Sequence, residues 1–112
     1  MAVARPGLAR GEVYLVGLDP AQGSEIRKTR PCLVVSPDEL NRHLRTVIVA
    51  PMTTAGRAYP WRVRCRFQNR SGFVALDQIR TVDGERLLKR LGRLSPGTIR
   101  EVQRLLQELF AV

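Results

Sequence analysis

Between two apolar runs, VYLVGL and CLVVS, the chain carries GSEIRKTRP, residues 23–31. This one connection gathers a hydroxyl (Ser24), a carboxylate (Glu25) and three cations (Arg27, Lys28 and Arg30), with Gly23 available for a tight bend. A guanidinium is a rigid fork of donors that matches phosphate oxygens two at a time. A carboxylate can accept a proton, and a hydroxyl can donate a hydrogen bond to an anion. Two more hydroxyls, Thr53 and Thr54, follow the run TVIVAP. Together these groups suit the binding of an anionic ligand. A plainer reading also fits. Arg30 could pair with Glu25 at the surface, Ser24 could satisfy the loop backbone, and the threonines could simply finish a strand. Residue types alone favour the plainer reading. His43 is the only imidazole, and it follows DELNR, which reads as a surface loop rather than a site for acid–base work.

The elements that position these residues are short and β-like. With 112 residues the chain supports one core. GEVYLVGL reads as a first strand whose near-continuous apolarity implies cover on both faces. About a dozen residues then lead to Pro31, long for a hairpin connection of 2–5. CLVVS is a second strand, DELNRHLR a helical turn or loop, and TVIVAPMT a third strand. That strand is expected to end at Pro51, which cannot donate to a ladder, leaving Thr53 and Thr54 just beyond it. In WRVRCRFQ, Trp61, Val63, Cys65 and Phe67 alternate with Arg62, Arg64, Arg66 and Gln68, a half-buried strand with an arginine stripe outside. Trp61 is expected in the core, with base stacking as the alternative. NRSG reads as a turn into a single further strand, FVALDQIRTV, and GERLLKRLGRL as a short helix or turn with a strand piece. Ser95 and Pro96 cap and open a terminal helix with Ile99, Val102, Leu105, Leu106 and Leu109 on one face. Strands first and one helix last predict a mostly β (α+β) fold, a small barrel closed by a C-terminal helix.

The net charge of +9 comes almost entirely from arginine, the only lysines being Lys28 and Lys89. A polyanionic partner follows naturally, although arginines spread over a solvated surface would give the same number. Cys32 and Cys65 sit in strand-like runs without metal-ligand spacing, so both are expected as reduced thiols. The N-terminus lacks the apolar core of a secretion signal, and no run approaches the roughly 18 apolar residues of a membrane span. The expected location is the cytoplasm, without membrane contact.

Four blocks in order, RGEVYLVGLDPAQGSEIRKTRPCLVVS, VIVAPMTT, ALDQIRTVD and LGRLS, resemble the MazF/PemK/Kid family of toxin endoribonucleases over residues 10–112. The resemblance implies an SH3-like twisted β-barrel of the plasmid-maintenance toxin type, with residues 1–9 as a flexible N-terminal extension. It implies a homodimer that cuts single-stranded RNA without metal or other cofactor, and a cognate antitoxin that neutralises it through an acidic, flexible segment. The cut would follow attack of a 2′-OH on the adjacent phosphorus, leaving a 2′,3′-cyclic phosphate and a 5′-OH. Carried onto this chain, the resemblance makes Arg30 and Thr53 catalytic with Ser24 and Glu25 beside them. Gly23, Arg27, Lys28, Thr54, Arg57 and Gln78 would then contact RNA. The general base stays open between Glu25 on chemical grounds and Arg30 acting with Thr53 on family grounds.

Two rivals remain at the level of sequence. A sister toxin group of the same architecture poisons DNA gyrase and cuts nothing, but it lacks the GSE…RP loop joined to a strand-end threonine. A basic SH3-like module that only binds nucleic acid would carry the same charge. The arginine stripe Arg62, Arg64 and Arg66 would face RNA, antitoxin or only water.

Overall fold

The computed structural model describes residues 7–112. Seven strands run in chain order: β1 Glu12–Gly17, β2 Thr29–Val34, β3 Thr46–Thr53, β4 Arg62–Phe67, β5 Arg70–Ala75, β6 Arg80–Asp83 and β7 Leu87–Arg93. A short helix, α1 (Asp38–His43), joins β2 to β3, and α2 (Pro96–Leu109) closes the chain. All pairings are antiparallel, in the order β4-β5-β3-β2-β1-β7, with β6 also on β3. The sheet is a curled half-barrel whose edges approach each other: the Phe67 ring on β4 abuts Gly92 on β7, and Gln68 Nε2 donates to the Leu91 carbonyl at 3.4 Å.

β1 to β3 carry apolar side chains on both faces through their central stretches because they serve two cores. One face holds Val13, Leu33, Ala50, Val63 and Val74 beneath α2, which contributes Val102 with Ile99, Leu105 and Leu106. The other holds Val16, Leu18, Cys32, Val34, Val47 and Val49. Burying a Val or Leu side chain contributes roughly 1.5–3 kcal/mol, so losing either face would leave the domain unstable. Leu8 is buried in the second cluster, so the packed domain reaches past the expected boundary at residue 10. The rest of the expected extension, residues 1–6, lies outside the described residues. Ser95 Oγ accepts from the Thr98 N–H at 3.2 Å, capping α2 as the sequence predicts. Among the described residues, no helix is long and apolar enough to cross a membrane.

Four expectations need correction. First, β3 does not stop at Pro51. It runs on to Thr53, switching partners from β6 (last paired at Val49) to β5 (first paired at Met52). Pro51 falls between the two, where that edge of the strand has no partner to leave short of a donor. Thr53 is therefore the last strand residue, and only Thr54 lies beyond. Second, FVALDQIRTV is not one strand: a single 3-10 turn, Leu76–Gln78, separates β5 from β6. Third, the hairpin turn falls at Gln68–Asn69, both left-handed (φ 50° and 63°), so Arg70 and Ser71 already belong to β5. Paired positive φ values are what a two-residue hairpin loop needs to match strand twist. Fourth, Trp61 is not core. It precedes β4, remains 40% exposed, and stacks on Tyr59 at 5.1 Å and 6°.

Candidate active site

The main contribution of this topology to chemistry is a cleft of about 170 Å³ at the end of β3, where its pairing with β2 has ended and its pairing with β5 begins. Arg30 and Pro31 of β2 form one wall, Thr53 and Thr54 the end, and Gln68, Arg70 and Ser71 of the β4–β5 hairpin the other wall. The structure thus brings together Arg30, Thr53 and Thr54, three of the residues singled out in the sequence. It adds Gln68, Arg70 and Ser71, which sequence reasoning assigned to a strand end and a turn.

Arg30 sits on β2 opposite Val16 of β1, half-buried. Its Nε donates to the Arg27 carbonyl at 3.0 Å. That bond orients the guanidinium and leaves its two terminal nitrogens for a ligand. Arg30 and Arg70 form no ion pair among the described residues, whose ion pairs are Arg62–Asp77, Arg90–Glu12 and Arg104 with Glu101 and Glu108. Two cations without carboxylate partners on facing walls attract an anion strongly. Thr53 Oγ1 accepts from the Ala55 N–H at 3.1 Å, which fixes the hydroxyl oxygen at the cleft end. β5 crosses close to this point because residue 72 is glycine: a Cβ there would lie 2.4 Å from the Thr53 carbonyl oxygen.

The remaining loop residues do not line the cleft. Glu25 Oε1 accepts from the Gln22 N–H at 2.6 Å, closing its own turn. Ser24 is exposed, and Gly23 takes φ 55°, the bend expected of it. Arg27 donates to the Gly23 carbonyl at 3.3 Å. Lys28 is held by its backbone, with its N–H on Asp19 Oδ1 at 3.1 Å. Gln78 was expected beside a ligand, but its Oε1 accepts from the Ile26 N–H at 3.2 Å and so ties the loop to the barrel. Arg57 is exposed in the β3–β4 connection, outside the cleft lining. His43, at the end of α1, contacts the Glu39 carbonyl through Nδ1 at 2.8 Å and lies outside the cleft.

None of the arginine stripe lines the cleft either. Arg62 makes a two-point pair with Asp77, at 3.0 and 3.1 Å, which holds its guanidinium above the ordinary pKa. Arg64 lies over the Phe73 ring at 5.5 Å, and Arg66 is exposed. Both cysteines are free and buried. Burial pushes the Cys32 thiol up to about 12 against the opposing pull of Arg80 and Arg30, and burial also raises Cys65. Among the described residues, no group of three or more His, Cys, Asp or Glu side chains is placed to hold a metal ion.

A curled antiparallel half-barrel, a helix across one core and a cation-lined cleft at a strand switch define a small basic β protein suited to a phosphodiester chain. Its relatives give that class a name. The PemK-like, MazF-like toxin of type II toxin–antitoxin systems matches residues 9–110. An endoribonuclease MazF from Staphylococcus saprophyticus is 35% identical over 85% of this chain and 84% of its own. MazF from Deinococcus radiodurans, solved by crystallography, superposes with a TM-score of 0.82 at 26% identity, covering 94% of this chain and 97% of that one. A mycobacterial endoribonuclease, solved in complex with its cognate antitoxin, superposes at 0.80 with 27% identity over 95% and 97% of the chains. The chain belongs to the PemK-like, MazF-like family of type II toxin–antitoxin toxins, and its activity class is endoribonuclease.

Proposed function

We propose that this toxin cuts single-stranded RNA in the cleft between β2 and the β4–β5 hairpin, by attack of a 2′-OH on the neighbouring phosphorus. The observation that carries this reading is the meeting of Arg30, held by Arg27, with Thr53 at the end of β3. The attack places growing negative charge on the phosphoryl oxygens. Arg30, already oriented and unpaired, meets that charge without reorganising. Thr53, its oxygen fixed by Ala55, can turn its proton toward a phosphoryl oxygen or hold the attacking hydroxyl in line. As the 2′-O–P bond forms the P–O5′ bond breaks, the 2′-OH gives up its proton and the leaving 5′ oxygen takes one up, so the products are a 2′,3′-cyclic phosphate and a 5′-OH. No metal enters this mechanism. Glu25 acts as base only where RNA binding frees it from Gln22, and Glu25→Gln tests that step directly.

The working form is a cytoplasmic homodimer, as in the family resemblance. The natural inhibitor is an acidic, flexible antitoxin segment that takes the place of the RNA polyanion. The net charge of +9, the unpaired Arg30 and Arg70, and the antitoxin complex of the mycobacterial relative support this reading.

The test is cleavage of a long single-stranded RNA in EDTA by wild type and Arg30→Ala, with sites and ends mapped. Cutting at a short recurrent sequence with 5′-OH ends, lost in Arg30→Ala, is expected. Intact RNA with the wild type would overturn the reading.

A further inference from the structure

Within the arginine stripe on β4, Arg64 and Arg66 are exposed but Arg62 is half-buried, its side chain 14% exposed. Two of its nitrogens are taken by Asp77: Nε donates to Oδ1 at 3.0 Å and Nη2 to Oδ2 at 3.1 Å. The third nitrogen, Nη1, lies against Gly56, where a Cβ would stand 3.0 Å from it, and the guanidinium carbon is 5.5 Å from the centre of the Tyr59 ring. One guanidinium therefore touches two segments that are distant in the chain. Asp77 belongs to the 3-10 turn Leu76–Gln78, which β4 also holds through the backbone, the Leu76 N–H donating to the Trp61 carbonyl at 3.2 Å. Gly56 and Tyr59 belong to the connection between β3 and β4.

Both segments lead to the cleft, although Arg62 does not line it. The residue after Asp77 is Gln78, whose Oε1 holds the Ile26 N–H, one residue from the Arg27 carbonyl that orients Arg30. The residue before Gly56 is Ala55, whose N–H fixes Thr53 Oγ1. We propose that Arg62 is a positioning residue: it clasps the β3–β4 connection to the 3-10 turn and so holds Thr53 and Arg30 in register across the cleft. This role rests on the RNA-cutting reading above. A two-point pair fixes orientation as well as distance, which a lysine in the same place would not do. Water reaches part of the pair, so it acts on local geometry more than on global stability.

Two measurements separate this role from an RNA contact and from plain structural support. The first needs no RNA: backbone amide exchange is followed by NMR in wild type, Arg62→Ala, Arg62→Lys and Asp77→Asn. Exchange at Ile26 and Ala55 should quicken severalfold in Arg62→Ala and Asp77→Asn, and less in Arg62→Lys, while the amides of β1 and β2 keep their protection. The second is single-turnover cleavage at saturating RNA, well below the melting temperature. Affinity is measured separately on an oligoribonucleotide spanning the mapped cut site, with a 2′-deoxy sugar at the attacking nucleotide so that it binds uncut. The cleavage rate constant should fall about tenfold in both Arg62→Ala and Asp77→Asn, less than the roughly 10² of a full 1 Å displacement. The double variant should lose no more than Arg62→Ala alone, because the two side chains act as one clasp. RNA affinity in Asp77→Asn should match or exceed that of wild type, since a carboxylate has been removed. A direct RNA contact by Arg62 predicts otherwise: Asp77→Asn would free the guanidinium, binding would tighten and the rate constant would hold. That result overturns the proposal. Unchanged exchange at Ile26 and Ala55 in Arg62→Ala overturns it too, as does a lowered melting temperature with the rate constant intact. If wild type cuts no RNA, the ribonuclease reading fails, and the exchange rates still decide whether Arg62 clasps the two segments.

Discussion

Gly72 passes directly against the backbone of Thr53: a Cβ on residue 72 would stand 2.4 Å from the Thr53 carbonyl oxygen. β5 and the end of β3 are in contact only because that atom is missing. Gly72→Ala should therefore push the hairpin from Thr53, displacing both the cleft end and its far wall. Overpacking of this kind costs about 1–3 kcal/mol. A displacement near 1 Å in an aligned site can cost about 10² in rate. The expected result is a folded protein with a lowered melting temperature and RNA cleavage reduced about a hundredfold. Cleavage at the wild-type rate would mean the contact does not position Thr53.

Arg30→Ala removes the oriented guanidinium without removing a strand contact, since among the described residues its side chain bonds only to the Arg27 carbonyl. Loss of one preorganised donor costs roughly 10²–10³ in rate. Turnover should fall by that factor while thermal melting stays close to wild type. Arg30→Lys should recover little, because an ammonium cannot hold Arg27 and grip two phosphate oxygens together.

Much of this arrangement was legible in the residues. The unbroken apolar run of β1 predicted cover on both faces, and two core clusters provide it. Ser95 and Pro96 announced α2, and the block order pointed to Arg30 and Thr53. The hairpin wall was not legible, because Asn69, Arg70, Ser71 and Gly72 spell a turn by composition. Their role depends on a curl that brings β5 across β3, a contact between segments about twenty residues apart. Pro51 misled for a similar reason: its missing donor matters only where a neighbouring strand asks for one, and the partner switch removes that demand. Glu25 was singled out by residue type, and nothing in the sequence signalled that its Oε1 accepts from the Gln22 N–H three residues back, since that bond depends on the loop's bend.

Cys32 gives the fold an alkaline limit. Its thiol titrates near 12 in the barrel against an ordinary value of 9.0, because burial disfavours the thiolate. A folded-state pKa raised above the unfolded one means that the contribution is fully present below about pH 9. It is lost as pH rises from there toward 12, where the unfolded chain ionises first. Chemical denaturation between pH 8 and 11 should show stability falling in wild type and falling less steeply in Cys32→Ser or Cys32→Ala. A thiol reagent at pH 8 should modify neither Cys32 nor Cys65 until the protein is unfolded.

Gln78 and Arg30 are bonded to the same loop, two residues of backbone apart. Gln78 Oε1 accepts from the Ile26 N–H, and the carbonyl of the following residue, Arg27, receives Arg30 Nε. The base of the same loop is pinned by Arg80 on the Leu18 carbonyl at 3.1 Å and by Arg86 on the Gly17 carbonyl at 3.2 Å. The expected role of Gln78 is therefore to position the loop by accepting a hydrogen bond from the Ile26 N–H, set against the RNA contact that the family resemblance implies. Removing the acceptor in Gln78→Ala should leave the loop anchored at its base but free at Ile26, loosening the Arg30 guanidinium. The expected result is a fall in kcat of about tenfold with RNA affinity little changed, since net charge and the cleft cations are retained. Gln78→Glu keeps an oxygen acceptor for the Ile26 N–H and should restore most of kcat. A direct RNA contact predicts the opposite pattern: a carboxylate would repel phosphate, and Gln78→Glu would weaken binding more than Gln78→Ala. Measuring KM and kcat separately for the two variants decides between a tie to the loop and a contact with the substrate.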